Sequence, residues 1–403
     1  MASFRRASWF SRVELGSFAS LQNVAVAIFS LFLAAGLSGG QAVSEQNAHG
    51  LGLVRLSKPF FDPSDGQTID VILEIRAAGQ LDVVLLDRDG FRVRKLLTGE
   101  AVLAGEHRAS WDGRDDNGAV VADEAYSLWI TLKTAVGVSK YVPSETPPQH
   151  VEAKIGYYDR ATGVFRYDLP VPARVHVQAG TARLKKGATE KTGPVLKNLA
   201  NREPRPSGPV IENWNGLDES GSVFVPDLPD FVMALAATSL PENAIIAYGN
   251  RSKTFLEVAA QRVGAPLSAV PAATDHHHHA GLTALEDVAP SLRVSLEHAT
   301  YSTRTRAWNP EDNRLIADLI LEGPSATSFS AEPAKIYVFI DGKLLQSLPP
   351  SKPATRIDVS LSGVESGHHI VALNWVSDFG PVAVATMQLD MPPKHAGGNG
   401  VGK

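Results

Sequence analysis

A tryptophan-led turn occurs twice in this chain. Trp111-Asp112-Gly113-Arg114-Asp115-Asp116-Asn117-Gly118 is echoed by Trp214-Asn215-Gly216-Leu217-Asp218-Glu219-Ser220-Gly221, and the two tryptophans lie 103 residues apart. That interval is close to the length of one β-sandwich domain, about 100 residues. The same offset carries Leu96 onto Leu199 and Gly105 onto Gly208. Both turns run on into a short apolar stretch and an aspartate, Val120-Val121-Ala122-Asp123 and Val223-Phe224-Val225-Pro226-Asp227. Duplication of a domain builds an extended, multivalent surface more readily than it builds a single active site. The repeat therefore restricts the chain to a string of similar sheet modules.

Local patterning agrees. Thr68-Ile69-Asp70-Val71-Ile72-Leu73-Glu74-Ile75 alternates, Leu81-Asp82-Val83-Val84-Leu85-Leu86 follows, and Asp89-Gly90 supplies a tight turn. Strands at intervals of about ten residues, separated by polar turns, mark a sandwich rather than an α/β fold. The first unit is expected over residues 50–135 and a second, more irregular copy over 150–240, where Pro204, Pro206 and Pro209 confine their segments to loops or sheet edges. Pro143, Pro147 and Pro148 lie between the two and predict a hinge giving reach and avidity.

Residues 241–289 read as a connector with one short helix over 252–263. Ser252 is placed to cap it, Gly264 and Pro266 end it, and Phe255, Leu256, Ala259 and Val263 share a face suited to packing on a sheet. A third unit of about seven strands spans 290–392, with Asp341-Gly342 as the turn of a strong hairpin. Seven strands are the number of an immunoglobulin-like sandwich. The expected fold is thus all-β, tandem immunoglobulin-like sandwiches with one helix in a connector, and a disordered glycine-rich tail over 393–403.

Trp111-Asp112-Gly113-Arg114-Asp115-Asp116-Asn117-Gly118, then Val121-Ala122-Asp123 and Tyr126, resembles the immunoglobulin-like domain of the flagellar hook-capping (FlgD-type) family, whose stretch reads W-D-G-x-D-x-x-G and then V-x-D-G-x-Y. The resemblance implies a noncatalytic sandwich module of a kind found in secreted and surface proteins. It is weaker in the second copy, where Asn215 replaces the first aspartate and Phe231 stands near the tyrosine position. Nothing resembles the rest of a hook cap, so no flagellar role follows. Residues 252–264 also resemble the first helix of a LysM peptidoglycan-binding module over about a dozen positions, a short match without a clear second helix.

Arg5, Arg6 and Arg12 precede an apolar run of about 14 residues (24–37), and Gly40 and Ala42 stand at the −3 and −1 positions of a cleavage site. A secretory signal peptide over 1–42 is the reading, since a membrane-spanning helix needs about 20 apolar residues. Contact with a membrane is then only transient, and the address is periplasmic or extracellular. With no cysteine, an exported chain of this kind depends on core packing alone. The net charge of −5 argues against nucleic acid, which requires a concentrated basic face. The one basic stretch, Arg183, Lys185, Lys186, Lys191 and Lys197, reads as a solvated loop.

Three groups of residues could carry chemistry. Asp112, Asp115, Asp116 and Asn117 offer oxygen donors for calcium, but their spacing fits no calcium loop, and the echo keeps Trp214, Gly216 and Gly221 while losing acidity. Trp111, Asp112, Gly113 and Gly118 with those three are therefore read as a structural motif: turn geometry around a buried indole. Asp275 with His276, His277, His278 and His279 could hold zinc or copper loosely, or could simply be a polar linker. His298, His368 and His369 of the third unit are further candidates to join the tract. The sequence carries none of the familiar hydrolase, phosphate-loop or dinucleotide signatures. The leading expectation is an exported noncatalytic module of the bacterial envelope that binds a protein or glycan partner, without a cofactor. The alternatives are a metal-handling protein using the histidine tract and an accessory carbohydrate- or peptidoglycan-binding protein.

Overall fold

A computed structural model describes residues 50–184, 191–268, 282–350, 354–378 and 380–393. The expected signal segment, the Asp275–His279 tract and residues 394–403 lie outside them. The first sandwich uses β1 (Leu51–Leu56), β2 (Phe60–Phe61), β3 (Ile69–Ile75), β4 (Gly79–Leu86), β5 (Arg92–Val102), β6 (Gly105–Trp111), β7 (Glu124–Thr134) and β8 (Gly137–Tyr141). One sheet runs β1-β3-β6, and β4 lies between β5 and β7 in the other. Val71, Leu73 and Ile75 face the core with Trp111, Leu85 and Leu128, while Asp70 and Glu74 point outward. Period-two side-chain alternation explains this division directly.

The second sandwich comprises β9 (Lys154–Asp159), β10 (Val164–Leu169), β11 (Ala173–Thr181), β12 (Arg183–Leu184), β13 (Lys191–Thr192), β14 (Val195–Arg205), β15 (Gly208–Asn213) and β16 (Phe231–Ser239). Its sheets run β9-β10-β15 and β14-β11-β16, the order of β1-β3-β6 and β5-β4-β7. The departure is the hairpin β12–β13, which stands where the first unit has only the turn of residues 87–90 between β4 and β5. The constant offset of 103 therefore begins after that insertion, at β5 and β14.

The region between the prolines and the third unit differs from the expectation. Pro143–Glu145 form a 3-10 turn with Pro143 buried, and Gln149 and Ser239 exchange hydrogen bonds, Ser239 N–H donating to the Gln149 carbonyl at 2.7 Å. A linker fixed in this way to the edge of β16 is not a free hinge. The connector first adds β17 (Ile245–Ala247) to the first sandwich, antiparallel to β7 and parallel to β2. Its helix, α1 (Phe255–Ala260), is capped by Thr254, not Ser252. The Ser252 hydroxyl is engaged by Asn250, whereas Thr254 and Glu257 form a capping box, with the Glu257 carboxylate accepting the Thr254 N–H at 2.7 Å. Phe255 and Ala259 are buried as expected, but the helix ends early and Val263 is 95% exposed. A second short helix, α2 (Ala284–Asp287), follows.

The third sandwich contains β18 (Ser291–Glu297), β19 (Ala299–Ser302), β20 (Ala307–Pro310), β21 (Arg314–Glu322), α3 (Ala326–Ala331), β22 (Ala334–Ile340), β23 (Lys343–Leu348), β24 (Ala354–Ser360), β25 (Gly367–Ser377) and β26 (Val382–Met391). Its sheets run β18-β21-β24 and β19-β20-β26-β25-β22-β23. The expected hairpin is present, with Asp341 (φ 48°) and Gly342 (φ 75°) both left-handed. The central strands β22, β25 and β26 of the larger sheet are buried on both faces over much of their length. Ile336, Val338, Val371 and Leu373 fill the third core, while Tyr337, Phe339 and Ala372 join the core of the second sandwich. Val382 and Val384 meet Val195 across the same seam.

Candidate functional site

The two tryptophan turns are superimposable in their bonding. Each indole N–H donates to the carbonyl three residues on, Trp111 to Arg114 at 2.9 Å and Trp214 to Leu217 at 2.8 Å. Asp116 N–H reaches Val93, and Glu219 N–H reaches Leu196, each again 103 residues apart. Gly113 and Gly216 are left-handed, at φ 71° and 82°, and a Cβ there would fall about 2 Å from Pro63 or Phe224. Trp111 packs edge-on against Tyr126, and Trp214 stacks on Phe231. Gly118 and Gly221 close both turns with positive φ.

The acidic side chains of these turns serve the backbone. Asp112 accepts the Arg114 N–H at 3.1 Å, and Asn215 accepts the Leu217 N–H at 3.0 Å in the same way. Only a short acceptor is needed there, which explains why the charge is lost in the echo. Asp115 takes the N–H groups of Asn117 and Ala119, and Asp116 takes Lys95 N–H and Arg92 Nε. Asp218 likewise takes Ser222 and Val223 N–H.

The unusual chemistry lies elsewhere, where both sandwiches meet the connector. Asp287 of α2 pairs with Arg88 at 2.8 Å, and its other oxygen lies 3.2 Å from Nε of Arg202 on β14. Glu124 at the start of β7 binds Arg174 of β11 at 2.5 Å and lies 3.9 Å from Arg88. Arg262, after α1, reaches Asp87 at 2.6 Å and Asp89 at 2.5 Å, and it is sandwiched between the rings of Phe91 and Phe255. Four arginines thus face four carboxylates in a buried junction, as such charges must when removed from water. Gly90 makes the contact possible. Its carbonyl accepts the Leu267 N–H at 2.9 Å, and a Cβ there would overlap the Ser268 carbonyl.

Titration follows from this burial. Loss of solvent pushes the Asp87 carboxyl up to about 7, against the pull of the Arg262 guanidinium. His176 on β11 is pushed down to about 3, first by burial and then by Arg202. The sequence marks Asp89-Gly90 as a turn and gives no role to Arg262 or Asp287. The only local signal was Asp-Arg-Asp beside Gly90, which is equally typical of a solvated turn.

His298, His368 and His369, considered as neighbours of the Asp275–His279 tract that lies outside the described residues, each face a carboxylate. His368 bonds Asp390 at 2.7 Å, and this bond raises its pKa; His369 bonds Asp341 at 2.7 Å, and His298 lies 3.8 Å from Glu311. Among the described residues no group of three or more His, Cys, Asp or Glu is arranged to hold a metal.

No curated protein matches the sequence. Among solved structures, fibronectin(III)-like modules of Clostridium thermocellum CbhA align with 85% of this chain and 94% of theirs, at 9% identity and a TM-score of 0.18. A tetra-tandem repeat in the extending region of a large adhesion protein aligns over 84% of this chain and 73% of that one, with 11% identity and a TM-score of 0.18. A putative membrane anchored protein from Corynebacterium diphtheriae aligns over 81% and 59%, with 7% identity and a TM-score of 0.21. The family match is local: residues 63–135 match the FlgD Ig-like domain, and the match extends neither to the second unit nor to the LysM-like stretch.

Proposed function

We propose that this protein is an exported, noncatalytic component of the bacterial envelope or cell surface, a stiff spacer or assembly module that holds three sandwiches in fixed relation for a protein or glycan partner. The observation that carries this reading is the buried junction of Arg88, Glu124, Arg174, Arg202, Arg262 and Asp287. Ion pairs of that kind lose much of their value unless every member keeps its place, so they favour one arrangement of the domains over many. The seam between the second and third sandwiches supports the same reading, because it is apolar and continuous with a core. We further propose that the second sandwich is a diverged copy of the first, on the strength of the common strand order and indole turn.

Cross-linking in intact cells tests the proposal, followed by capture of the native protein, mass spectrometry of what is bound, and amino-terminal sequencing. The reading requires a processed amino terminus, a location outside the cytoplasm and a reproducible envelope protein or glycan in the captured material. A cytoplasmic protein with an unprocessed terminus would refute it.

A further inference from the structure

The smaller sheet of the third sandwich, β18-β21-β24, ends on β24. A free strand edge presents unpaired N–H and C=O groups, and folded proteins usually blunt it. Among the described residues the other edges of this protein are blunted. β1, β5, β9, β14 and β23 carry register shifts, β15 contains Pro209, and Gln149 and His150 cover the edge of β16. β6 and β18 lie against β5 and β26 of the opposite sheets, and β2, β8, β12, β13 and β19 have five residues or fewer. β24 has none of these protections. Ala354–Ser360 pairs with β21 along its whole length without a shift, and it contains neither glycine nor proline.

The direction of its backbone groups follows from one bond. Leu361 N–H donates to the Asn313 carbonyl at 2.8 Å, in the register of the β21–β24 ladder. In an antiparallel ladder alternate residues turn both backbone groups toward the same neighbour. Thr355, Ile357 and Val359 therefore face β21, while Ala354, Arg356, Asp358 and Ser360 face away from it. These four are exposed, and among the described residues no other segment bonds their backbone. Arg356 pairs with Glu297 and lies 3.9 Å from Asp318, and Asp358 pairs with Arg314 at 2.6 Å. Those partners all belong to the same sheet and the pairs are open to solvent, so they hold the two side chains only weakly.

We propose that β24 is a homophilic edge, at which two copies of this chain join their small sheets into one antiparallel six-stranded sheet. Charge complementarity selects the second copy. A two-fold axis through Ile357 sets Arg356 opposite Asp358 of the second copy, and the symmetry repeats that pair. Ala354 then stands opposite Ser360, again twice. Every residue in these four pairs directs its N–H and C=O outward, so about eight backbone hydrogen bonds form. Moving the axis by one residue either way sets arginine on arginine or aspartate on aspartate, which fixes the register. A single added strand buries less than the roughly 1,000 Å² of a stable interface, so the association is weak, with a Kd of about 0.1–1 mM.

The test is sedimentation velocity of the full chain from about 1 µM to 1 mM, a range that spans this Kd. A reversible monomer–dimer equilibrium is expected in the parent. Arg356→Asp sets acid against Asp358 of the second copy, and Asp358→Arg sets base against Arg356. Each alone should weaken self-association by at least about 5-fold, since two attractive pairs become repulsive. An equal mixture of the two variants should associate again, and so should one chain carrying both substitutions, each within about 3-fold of the parent. Thermal melts matching the parent show that the variants are folded, as expected for exposed positions. A parent that stays monomeric at every concentration overturns the proposal, even if the edge takes a strand from another protein. A dimer indifferent to both single substitutions overturns it too, as does failure of both the mixture and the doubly substituted chain to associate.

Discussion

The side-chain amide of Asn374 in the third sandwich clasps the backbone of Val195 in the second. Its oxygen accepts the Val195 N–H at 2.9 Å, and its nitrogen donates to the Val195 carbonyl at 2.8 Å. Asn198 extends the seam to the Val382 carbonyl, and Ser220 N–H reaches the Thr386 hydroxyl. Polar groups buried between apolar faces fix a register that hydrophobic contact alone would leave loose. Asn374→Ala removes the side-chain partners of both the Val195 N–H and the Val195 carbonyl and should cost about 2–5 kcal/mol. Urea denaturation of the variant against the parent measures it.

Asp287 is the shared counter-ion of Arg88 and Arg202. Asp287→Asn keeps the volume but leaves two buried guanidinium groups short of charge, and it should destabilise the chain by about 3–5 kcal/mol. Release of α2 should also speed limited proteolysis between residues 262 and 290. Denaturation and digestion rates give independent readings of the same change.

His176 predicts an acid-sensitive junction. The folded imidazole stays neutral until about pH 3, whereas the unfolded one protonates near its ordinary 6.5. Its contribution is therefore complete above pH 6.5 and is lost as the pH falls from there toward 3, because only the unfolded chain binds the proton. The slope from this one group is about 1.4 kcal/mol per pH unit. His176→Leu should remove this rise and leave the opposite slope of Asp87, whose folded pKa of about 7 makes stability fall with rising pH over the same window, and parallel denaturation series between pH 4 and 6 will show the change of sign.

The tryptophan turns should respond alike. Trp111→Ala and Trp214→Ala each remove a buried indole and its hydrogen bond, and each should cost about 3–5 kcal/mol. Asp112→Asn, which installs the residue found in the second turn, should change stability by less than about 1 kcal/mol, since the acceptor to the backbone is retained. Calcium should leave the melting temperature of the parent unchanged. Thermal melts of the three variants, with and without the ion, check all of this.

The repeat and its consequences were legible because they are local. A glycine two residues after each tryptophan, the Asp341-Gly342 hairpin and the alternation of 69–75 all report short-range geometry. The long apolar runs of β25 and β26 also carried information: strands buried on both faces lose their polar alternation, and here the second face meets another domain. The junction was not legible. Arg88, Arg174, Arg262 and Asp287 are separated by tens to hundreds of positions, and each alone looks like a surface charge. The same holds for β17, a three-residue strand with meaning only beside β7. The proline-rich segment misled for a related reason: composition describes an isolated linker and says nothing of an edge strand waiting to bind it.

The central claim is that the three sandwiches form one rigid body. The chain has no cysteine, so a spin-label pair can be installed without background by Glu100→Cys in the first sandwich and Ser347→Cys in the third, both at exposed positions. Pulsed electron–electron double resonance on the doubly labelled protein should give one narrow distance distribution in the parent and a broadened one in Asp287→Asn. A broad distribution in the parent would contradict the account.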